Sequence, residues 1–265
     1  MSTVTGRINE IKQPRGGYLK PSAFDEICFE DGRILGEENI HASVVGLAVD
    51  YLTRFLMGEP VQEAFHISCI GYSMKRASSL RGSSALPGEP YRIESLLERI
   101  TGLDDDSIDA ACRTATYDMW YRNPMAAAMA KGPEETNPDG ETVRNIRIMA
   151  ERSVAFWEKY GPVTCAGFTF EPSGYSNTVT AGDGDYLTRD TLWDFKVTKS
   201  RITNKQTLQI LMYWIMGQHS GQEIFRGITK LGFFNPRLNR VWLLDAADIP
   251  PETIRAVERE VICYP

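Results

Sequence analysis

The side chains best suited to chemistry are four charged residues within the stretch AGDGDYLTRDTLWDFKVTK, which runs from Ala181 to Lys199. Because side chains alternate along a β-strand, Asp183 and Asp185 are expected on one face of a first strand. By the same rule, Asp194 and Lys196 share one face of a second strand. If the two polar faces coincide, three carboxylates and one ammonium group converge on a single site.

Such a cluster of carboxylates repels itself unless a cation lies within it, and oxygen ligands of this kind favour Mg²⁺ or Mn²⁺. A metal ion held there could polarise a phosphate group and activate water, as hydrolysis of a phosphodiester requires. We therefore expect Asp185, Asp194 and the backbone carbonyl of Phe195 to bind the metal. Lys196 would orient the attacking water or help to deprotonate it.

These residues must be positioned by a hairpin and by the helix that follows it. The pattern predicts strands over Thr178–Leu187 and Leu192–Thr198, joined by a short turn. Next comes a helix from Thr203 or Asn204 to about Gln218, on which Gln209 and Tyr213 lie one turn apart on a shared face. Gln206, one turn earlier, faces either the same site or the solvent.

The rest of the second half continues this alternation of helices and strands. A helix is predicted before the hairpin, and further strands and a last helix are predicted around it: helix Glu141–Lys159, strands Val163–Phe170, Gly227–Phe234 and Arg240–Leu244, and helix Pro250–Glu260. The order helix, three strands, helix, strand is an α/β pattern around a mixed central sheet.

The first half is predicted to be mainly helical. Apolar residues at helical spacing indicate helices over Glu38–Met57, Val61–Met74, Ile93–Ile100 and from about Asp106 to Asn123, with a loop over Ala77–Pro90. The stretch KGPEETNPDG, rich in polar and helix-breaking residues, is the best candidate for a boundary. We therefore predict a helical N-terminal region over residues 1–135 and an α/β core over residues 136–265.

Composition limits the class of protein. The chain has 265 residues, of which 42% are hydrophobic, enough to bury a substantial core. Its net charge of −6 excludes a surface that is basic all over, so any contact with nucleic acid must come from a local patch. The absence of a signal-peptide pattern and of a long apolar run predicts a cytoplasmic protein without membrane contact. Five scattered cysteines without a CxxC pair predict neither disulfides nor zinc.

Three motifs in order carry a resemblance to a known family. Gly182-x-x-Asp185, Asp194-Phe195-Lys196 and Gln209-x-x-x-Tyr213 resemble the motif series of RecB-like PD-(D/E)XK nucleases, over residues 141–234. The resemblance implies a restriction-endonuclease-like core, in which helices flank a mixed central sheet. It also implies a metal-dependent nuclease, with a preference for DNA and an exonuclease or repair-type activity. The strand carboxylates and the lysine would act at the metal and the nucleophile, while Gln209 and Tyr213 would face the active site.

Further candidate metal ligands come with alternative interpretations. Asp183 is either an additional ligand or an acid at the rim of the site. The family often has an acid on the helix before the first strand, and Glu151 is the candidate, although an ion pair with Arg147 would also explain it. Some relatives have a metal-binding histidine upstream after a glycine, and His41 is the candidate, although its spacing from Gly36 is one residue too long.

Three cations after the catalytic strand, Lys199, Arg201 and Lys205, are candidate contacts for substrate phosphates, or else solvated surface charge. An iron–sulfur cluster of the kind that some relatives carry is not expected, because only Cys263 follows the helix with Gln209 and Tyr213. The alternative to a nuclease is a protein of the same fold that binds nucleic acid or a partner without cutting it.

Overall fold

The computed structural model describes residues 2–80 and 92–265 of the protein. The chain divides into two compact units: Met1–Glu30 together with Phe156–Pro265, here called the sheet unit, and Asp31–Ala155, here called the helical unit. This division differs from the predicted boundary at residue 135, because the first thirty residues lie with the strands and residues 136–155 lie with the helices. Most of the predicted loop over Ala77–Pro90 falls outside the described residues, and its first residues continue a helix to Leu80.

The helices have the bounds α1 Val4–Glu10, α2 Ala42–Leu56, α3 Val61–Ala64, α4 His66–Leu80, α5 Ile93–Arg99, α6 Asp105–Ala115, α7 Asp118–Arg122, α8 Pro124–Ala127, α9 Gly140–Tyr160, α10 Asn204–Ser220 and α11 Pro251–Ala256, followed by a π-helical turn over Val257–Ile262. The strands are β1 Ser2–Thr3, β2 Asp25–Cys28, β3 Cys165–Phe168, β4 Val179–Ala181, β5 Gly184–Leu187, β6 Thr191–Phe195, β7 Lys230–Asn235 and β8 Arg240–Asp245. Within the described ranges, no helix is both long and apolar enough to span a membrane.

The sheet unit is built on a six-stranded sheet in the order β2-β8-β7-β6-β5-β3. Only β6 and β7 run parallel within it, and the other neighbours are antiparallel. Helix α10 connects the two parallel strands, as a parallel pair requires. The predicted mixed α/β architecture is thereby confirmed, and the first thirty residues contribute β2 to the edge of the sheet.

The two faces of β6 pack against different helices. Trp193 lies on one face with Tyr186 and Phe234, where the end of α9 covers it with Phe156 and Trp157. Leucines at alternate positions of the central strands lie on the other face, in a larger core that includes much of α10. The alternation of large apolar side chains therefore fixes which face of the sheet each helix covers.

The predicted strand Thr178–Leu187 is interrupted in the structure. It forms β4, which pairs in parallel with β1, and then β5, with Gly182 and Asp183 between them. The carbonyl of Gly182 accepts a hydrogen bond from the Tyr175 hydroxyl at 2.6 Å instead of a ladder bond from a neighbouring strand. Asp183 therefore lies in neither strand, and the alternation of side chains along β5 does not fix the direction of its side chain.

The helical unit contains a buried polar centre. Asp118 at the start of α7 is only 1% exposed, and it accepts hydrogen bonds from Tyr51 and Ser68, each at 2.5 Å. On the first long helix Ala48, Tyr51 and Leu52 are buried, whereas Val44, Leu47 and Phe55 at the same helical spacing are only partly buried. That helix begins at Ala42, later than predicted, because His41 caps it by accepting a hydrogen bond from the Ser43 N–H.

A substitution at Gly184 can test how closely β3 and β5 pack. A Cβ added at this position would lie 2.1 and 2.2 Å from ring atoms of Phe168, which is buried among other aromatic rings. We predict that Gly184→Ala lowers the free energy of unfolding by about 1–3 kcal/mol, as expected for overpacking a core. Urea denaturation followed by circular dichroism measures the change.

The matched control is Gly140→Ala at the start of α9, where an added Cβ meets no atom within 4 Å. Because alanine is the better helix former, this variant should be as stable as the wild type or slightly more stable. Equal stability of the Gly184→Ala variant and the wild type would contradict the close packing of β5 on Phe168.

Candidate active site

Two carboxylates face each other across the β5–β6 hairpin. Tyr186 pairs with Trp193 and Leu187 pairs with Leu192. Continuing this register by one residue places Asp185 opposite Asp194. Directly opposite residues of an antiparallel pair share a face of the sheet, so both carboxylates lie on the face that α10 covers. The condition stated in the sequence analysis, that the two polar faces coincide, is met for these two residues.

The backbone of β6 fixes the carboxylate of Asp185. Its Oδ2 atom accepts a hydrogen bond from the N–H of Phe195 at 2.8 Å. The side chain is therefore held across the end of the hairpin, next to the strand residue whose carbonyl was predicted to bind a metal. The role of that carbonyl remains a prediction.

Lys196 forms the central ion pair of the site. Its Nζ atom lies 2.9 Å from Oδ2 of Asp194, a residue that is only 2% exposed. The lysine directly follows β6 and is held there by a hydrogen bond from its N–H to the carbonyl of Phe234, at 2.9 Å. Sequence alternation placed these two side chains on one face, and the structure brings them into contact.

Burial governs the charges of this pair. It raises the pKa of Asp194 above the usual range of an aspartate, and the positive charge of Lys196 offsets only part of this effect. Burial alone would lower the pKa of Lys196, but the carboxylates of Asp194 and Asp185 outweigh it, so that the pKa is raised. Despite the ion pair, Oδ2 of Asp194 has no well-directed hydrogen bond in the described structure. It therefore retains capacity for a further ligand.

Helix α10 adds two polar side chains to the site. Lys196 Nζ donates a hydrogen bond to Oε1 of Gln209 at 3.3 Å, and Nε2 of Gln209 donates to the Tyr213 hydroxyl at 3.1 Å. The apolar side chains of the helix are buried, at Leu208, Leu211, Met212 and Ile215. Asp194, Lys196, Gln209 and Tyr213 thus form one continuous chain of polar contacts.

Gln206 has a different role from either of those considered for it. It completes a capping box at the start of α10, in which its Oε1 atom accepts a hydrogen bond from the N–H of Thr203 at 2.7 Å. Of the two predicted helix starts, Thr203 and Asn204, the structure has Thr203 as the N-cap. The capping box fixes the residue at which the helix starts. It thereby fixes the position along the helix axis at which Gln209 contacts Lys196.

Tyr213 is buried and keeps its proton. Its ring stacks on Phe170, with a centroid distance of 5.3 Å and an interplanar angle of 29°. Burial and the negative charges of three aspartates, Asp194, Asp185 and Asp183, raise its pKa. The phenol therefore offers a neutral hydroxyl group to the site, which can donate or accept a hydrogen bond but does not act as a base.

Asp183 lies at the rim of the site. It is exposed, between β4 and β5, and its charge acts on both Tyr213 and Tyr175. The expectation that Asp183 shares a strand face with Asp185 is wrong, because Asp183 lies in the break between β4 and β5 and belongs to neither strand. Within residues 2–80 and 92–265, no group of three or more acidic, histidine or cysteine side chains is arranged to hold a metal. Two carboxylates, rather than three, therefore face each other at the centre.

The two upstream candidate ligands have partners within the helical unit. Glu151 forms an ion pair with Arg33 and not with Arg147, which instead pairs with Asp105. His41 caps α2, and its Nδ1 atom lies 2.7 Å from the hydroxyl of Ser43. The structure thus explains both side chains by contacts that stabilise the helical unit.

The three predicted phosphate contacts are all exposed, and each of them interacts with another group of the protein. Arg201 forms an ion pair with Glu26, and Lys205 Nζ donates a hydrogen bond to the Asn9 side chain at 2.7 Å. Lys199 is exposed after the end of β6.

The sequence analysis missed the contribution of α1. Thr5 on this helix lies beside the site, with its hydroxyl oxygen 3.5 Å from Nε2 of Gln209. Thr3, whose side chain accepts a hydrogen bond from Gly6 N–H, caps the helix, and Val4 and Ile8 form its buried face. A capping threonine followed by apolar residues at i and i+4 was the available signal, but nothing local places this helix next to Gln209.

The ion pair between Asp194 and Lys196 leads to a prediction about the free energy of unfolding in the absence of divalent metal. Lys196→Met leaves the buried carboxylate of Asp194 without its cation, and we expect a loss of about 3–5 kcal/mol in the free energy of unfolding. Asp194→Asn leaves Lys196 next to Asp185 and Gln209, so its stability should stay close to that of the wild type. Urea denaturation in EDTA at neutral pH compares the two variants, with the double variant as the control. A Lys196→Met protein as stable as Asp194→Asn would contradict this account.

No family model matches the sequence, and no curated protein or solved structure gives a significant match to it. The chemistry of the site is therefore inferred from its own geometry.

Proposed function

We propose that this protein is a metal-dependent nuclease that hydrolyses phosphodiester bonds in nucleic acid. The observation that carries the proposal is the pair of facing carboxylates, Asp185 and Asp194, with the ammonium group of Lys196 2.9 Å from the second one. Phosphodiester hydrolysis needs oxygen ligands for a metal and a positive group next to the attacking water. The same site contains both.

The donor set suits Mg²⁺ or Mn²⁺. These ions prefer oxygen ligands and usually retain several waters, with one or two carboxylates from the protein. Asp185, Asp194 and the Phe195 carbonyl would hold the ion, and the buried Oδ2 of Asp194, which accepts no hydrogen bond, supports this assignment. A bound metal would supply charge to polarise the phosphate and to lower the pKa of a water molecule.

The side chains around the two carboxylates are suited to orienting that water. Lys196 carries a positive charge that neighbouring carboxylates stabilise, so it acts as a donor that positions water and offsets negative charge. Gln209 accepts a hydrogen bond from the lysine and thereby fixes the direction of the ammonium group. Tyr213 holds the other end of the Gln209 amide. In this scheme Gln209 and Tyr213 act on the substrate side of the site.

The order of elements supports a restriction-endonuclease-like core of the RecB-like PD-(D/E)XK type. In the six-stranded sheet, the sequence from α9 runs through β3, β5 and β6, then α10 and β7. This is the helix, three strands, helix, strand order of the predicted core. We further propose DNA as the substrate and an exonuclease or repair-type activity, on the basis of the motif series alone.

We predict that Asp194→Ala and Lys196→Ala each lower the rate of nucleic-acid cleavage by about 100-fold or more, because each removes a group that stabilises charge in the transition state. The measurement is a cleavage assay on single- and double-stranded DNA and RNA with Mg²⁺ or Mn²⁺. Asp190→Asn is the matched control, because this aspartate lies in the turn of the same hairpin and pairs with Lys230. That variant should cleave at the wild-type rate.

Full activity of Asp194→Ala would refute the assignment of the site. If the wild type binds these nucleic acids but cleaves none of them with either metal, the protein is instead a binding protein of the same fold.

Metal binding provides a separate prediction that does not require activity. Isothermal titration with Mn²⁺ should show one site in the wild type, and Asp185→Asn and Asp194→Asn should each weaken it about tenfold or more, by analogy with the cost of disturbing metal ligation. Lys196→Met removes no ligand and one competing cation, so it should bind Mn²⁺ at least as well as the wild type. Equal affinity in the wild type and Asp194→Asn would exclude this residue as a ligand.

A further inference from the structure

The beginning of the chain carries a local excess of positive charge. Between Arg7 and Lys20 there are four cationic side chains and one acidic side chain, a formal charge of +3 in a protein whose net charge is −6. Lys12, Arg15 and Lys20 are exposed. Within the described part of the chain, no carboxylate forms an ion pair with any of these three. We call residues 12–20 the basic segment.

The basic segment is attached to the first turn of α10. Nε2 of Gln13 donates a hydrogen bond to the carbonyl of Asn204 at 3.3 Å, and the carbonyl of Leu19 accepts one from the Thr207 hydroxyl at 2.5 Å. Gly17, with a φ of +85°, passes so close to the helix that an added Cβ would lie 3.0 Å from the Asn204 side chain. The segment therefore wraps the start of this helix at a fixed position.

The same helix leads directly into the candidate active site. Asn204 and Gln209 are five residues apart, which is about 7.5 Å along the axis at 1.5 Å per residue. Helix α1, just before the basic segment, contacts this turn as well, since Asn9 accepts a hydrogen bond from Lys205 and Thr5 lies 3.5 Å from Gln209. A continuous stretch of chain thus runs from Thr5, beside the site, to the exposed cations.

We propose that the basic segment binds the phosphate backbone of a nucleic acid and leads the strand toward Lys196. This inference rests on the proposed function for the position of the cleavage site. Phosphate contacts need cations that are available to pair with them, and Lys12, Arg15 and Lys20 meet this condition. The three contacts expected from sequence already interact with other groups of the protein, Arg201 with Glu26 and Lys205 with Asn9. The sheet unit therefore takes its main backbone contacts from the N-terminal segment.

The test is binding of fluorescein-labelled DNA, single-stranded and duplex, measured by anisotropy in EDTA so that no cleavage occurs. The triple variant Lys12→Ala, Arg15→Ala, Lys20→Ala should bind about tenfold more weakly or worse at low salt. The slope of log affinity against log salt should become shallower by about 2–3, since each lost phosphate contact contributes roughly 0.7–0.9. The control is Arg189→Ala, Arg226→Ala, Arg255→Ala, which removes equal charge from exposed positions elsewhere in the sheet unit. Its affinity should change by less than about threefold.

A charge-conserving variant, Lys12→Arg, Arg15→Lys, Lys20→Arg, should bind like the wild type, because the contacts depend on charge and not on packing. If the alanine triple variant binds as tightly as the control triple variant, or if the wild type binds neither DNA, the inference is overturned, even if the site cleaves. If the basic segment binds DNA but no metal supports cleavage, the nuclease proposal fails and the binding surface stands.

Discussion

The sheet unit is organised around a carboxylate that lies almost out of reach of solvent. Asp194 is 2% exposed and belongs to β6, which has β5 on one side and β7 on the other. A charge in such a place is costly unless an opposite charge or a ligand compensates it. Lys196 supplies part of that compensation, and Gln209 directs the lysine. The two charged side chains would each be solvated more favourably in water. The packing of the rest of the unit must therefore keep Asp194 and Lys196 together.

The opposite face of the sheet provides that restraint. The ring of Phe156 stacks on Phe234 with a centroid distance of 4.1 Å and meets Trp193 edge to face at 4.9 Å. A slip of β6 by one residue would turn Asp194 and Lys196 toward these rings and Trp193 toward α10, so the hydrophobic face strongly specifies the register. The aromatic cluster and the polar site both result from the alternation of side chains along β6. Precise placement of the acid depends on side chains that have no chemical role themselves.

Local patterns were enough to predict the centre of the site. Alternation in β6 and the one-turn spacing in α10 place Asp194, Lys196, Gln209 and Tyr213 on facing surfaces, and the structure joins them in one chain of contacts. Contacts between distant parts of the sequence were not predictable in this way. Glu151 finds its cation 118 residues away, and Thr5 lies beside a glutamine 204 residues further along. Neither helical periodicity nor charge spacing carries information about such pairs.

The break between β4 and β5 explains why two aspartates only two residues apart differ in character. Gly182 is fixed on both sides, by the Tyr175 hydroxyl and by close packing against Val4, so the chain leaves one sheet and enters the other at a defined point. Asp185 falls within the second sheet, where the Phe195 N–H holds its carboxylate. Asp183 falls on the break itself, exposed to solvent and outside any ladder. Asp185 therefore has a position imposed by the backbone of the neighbouring strand, whereas Asp183 is held by no strand and lies in solvent at the rim of the site.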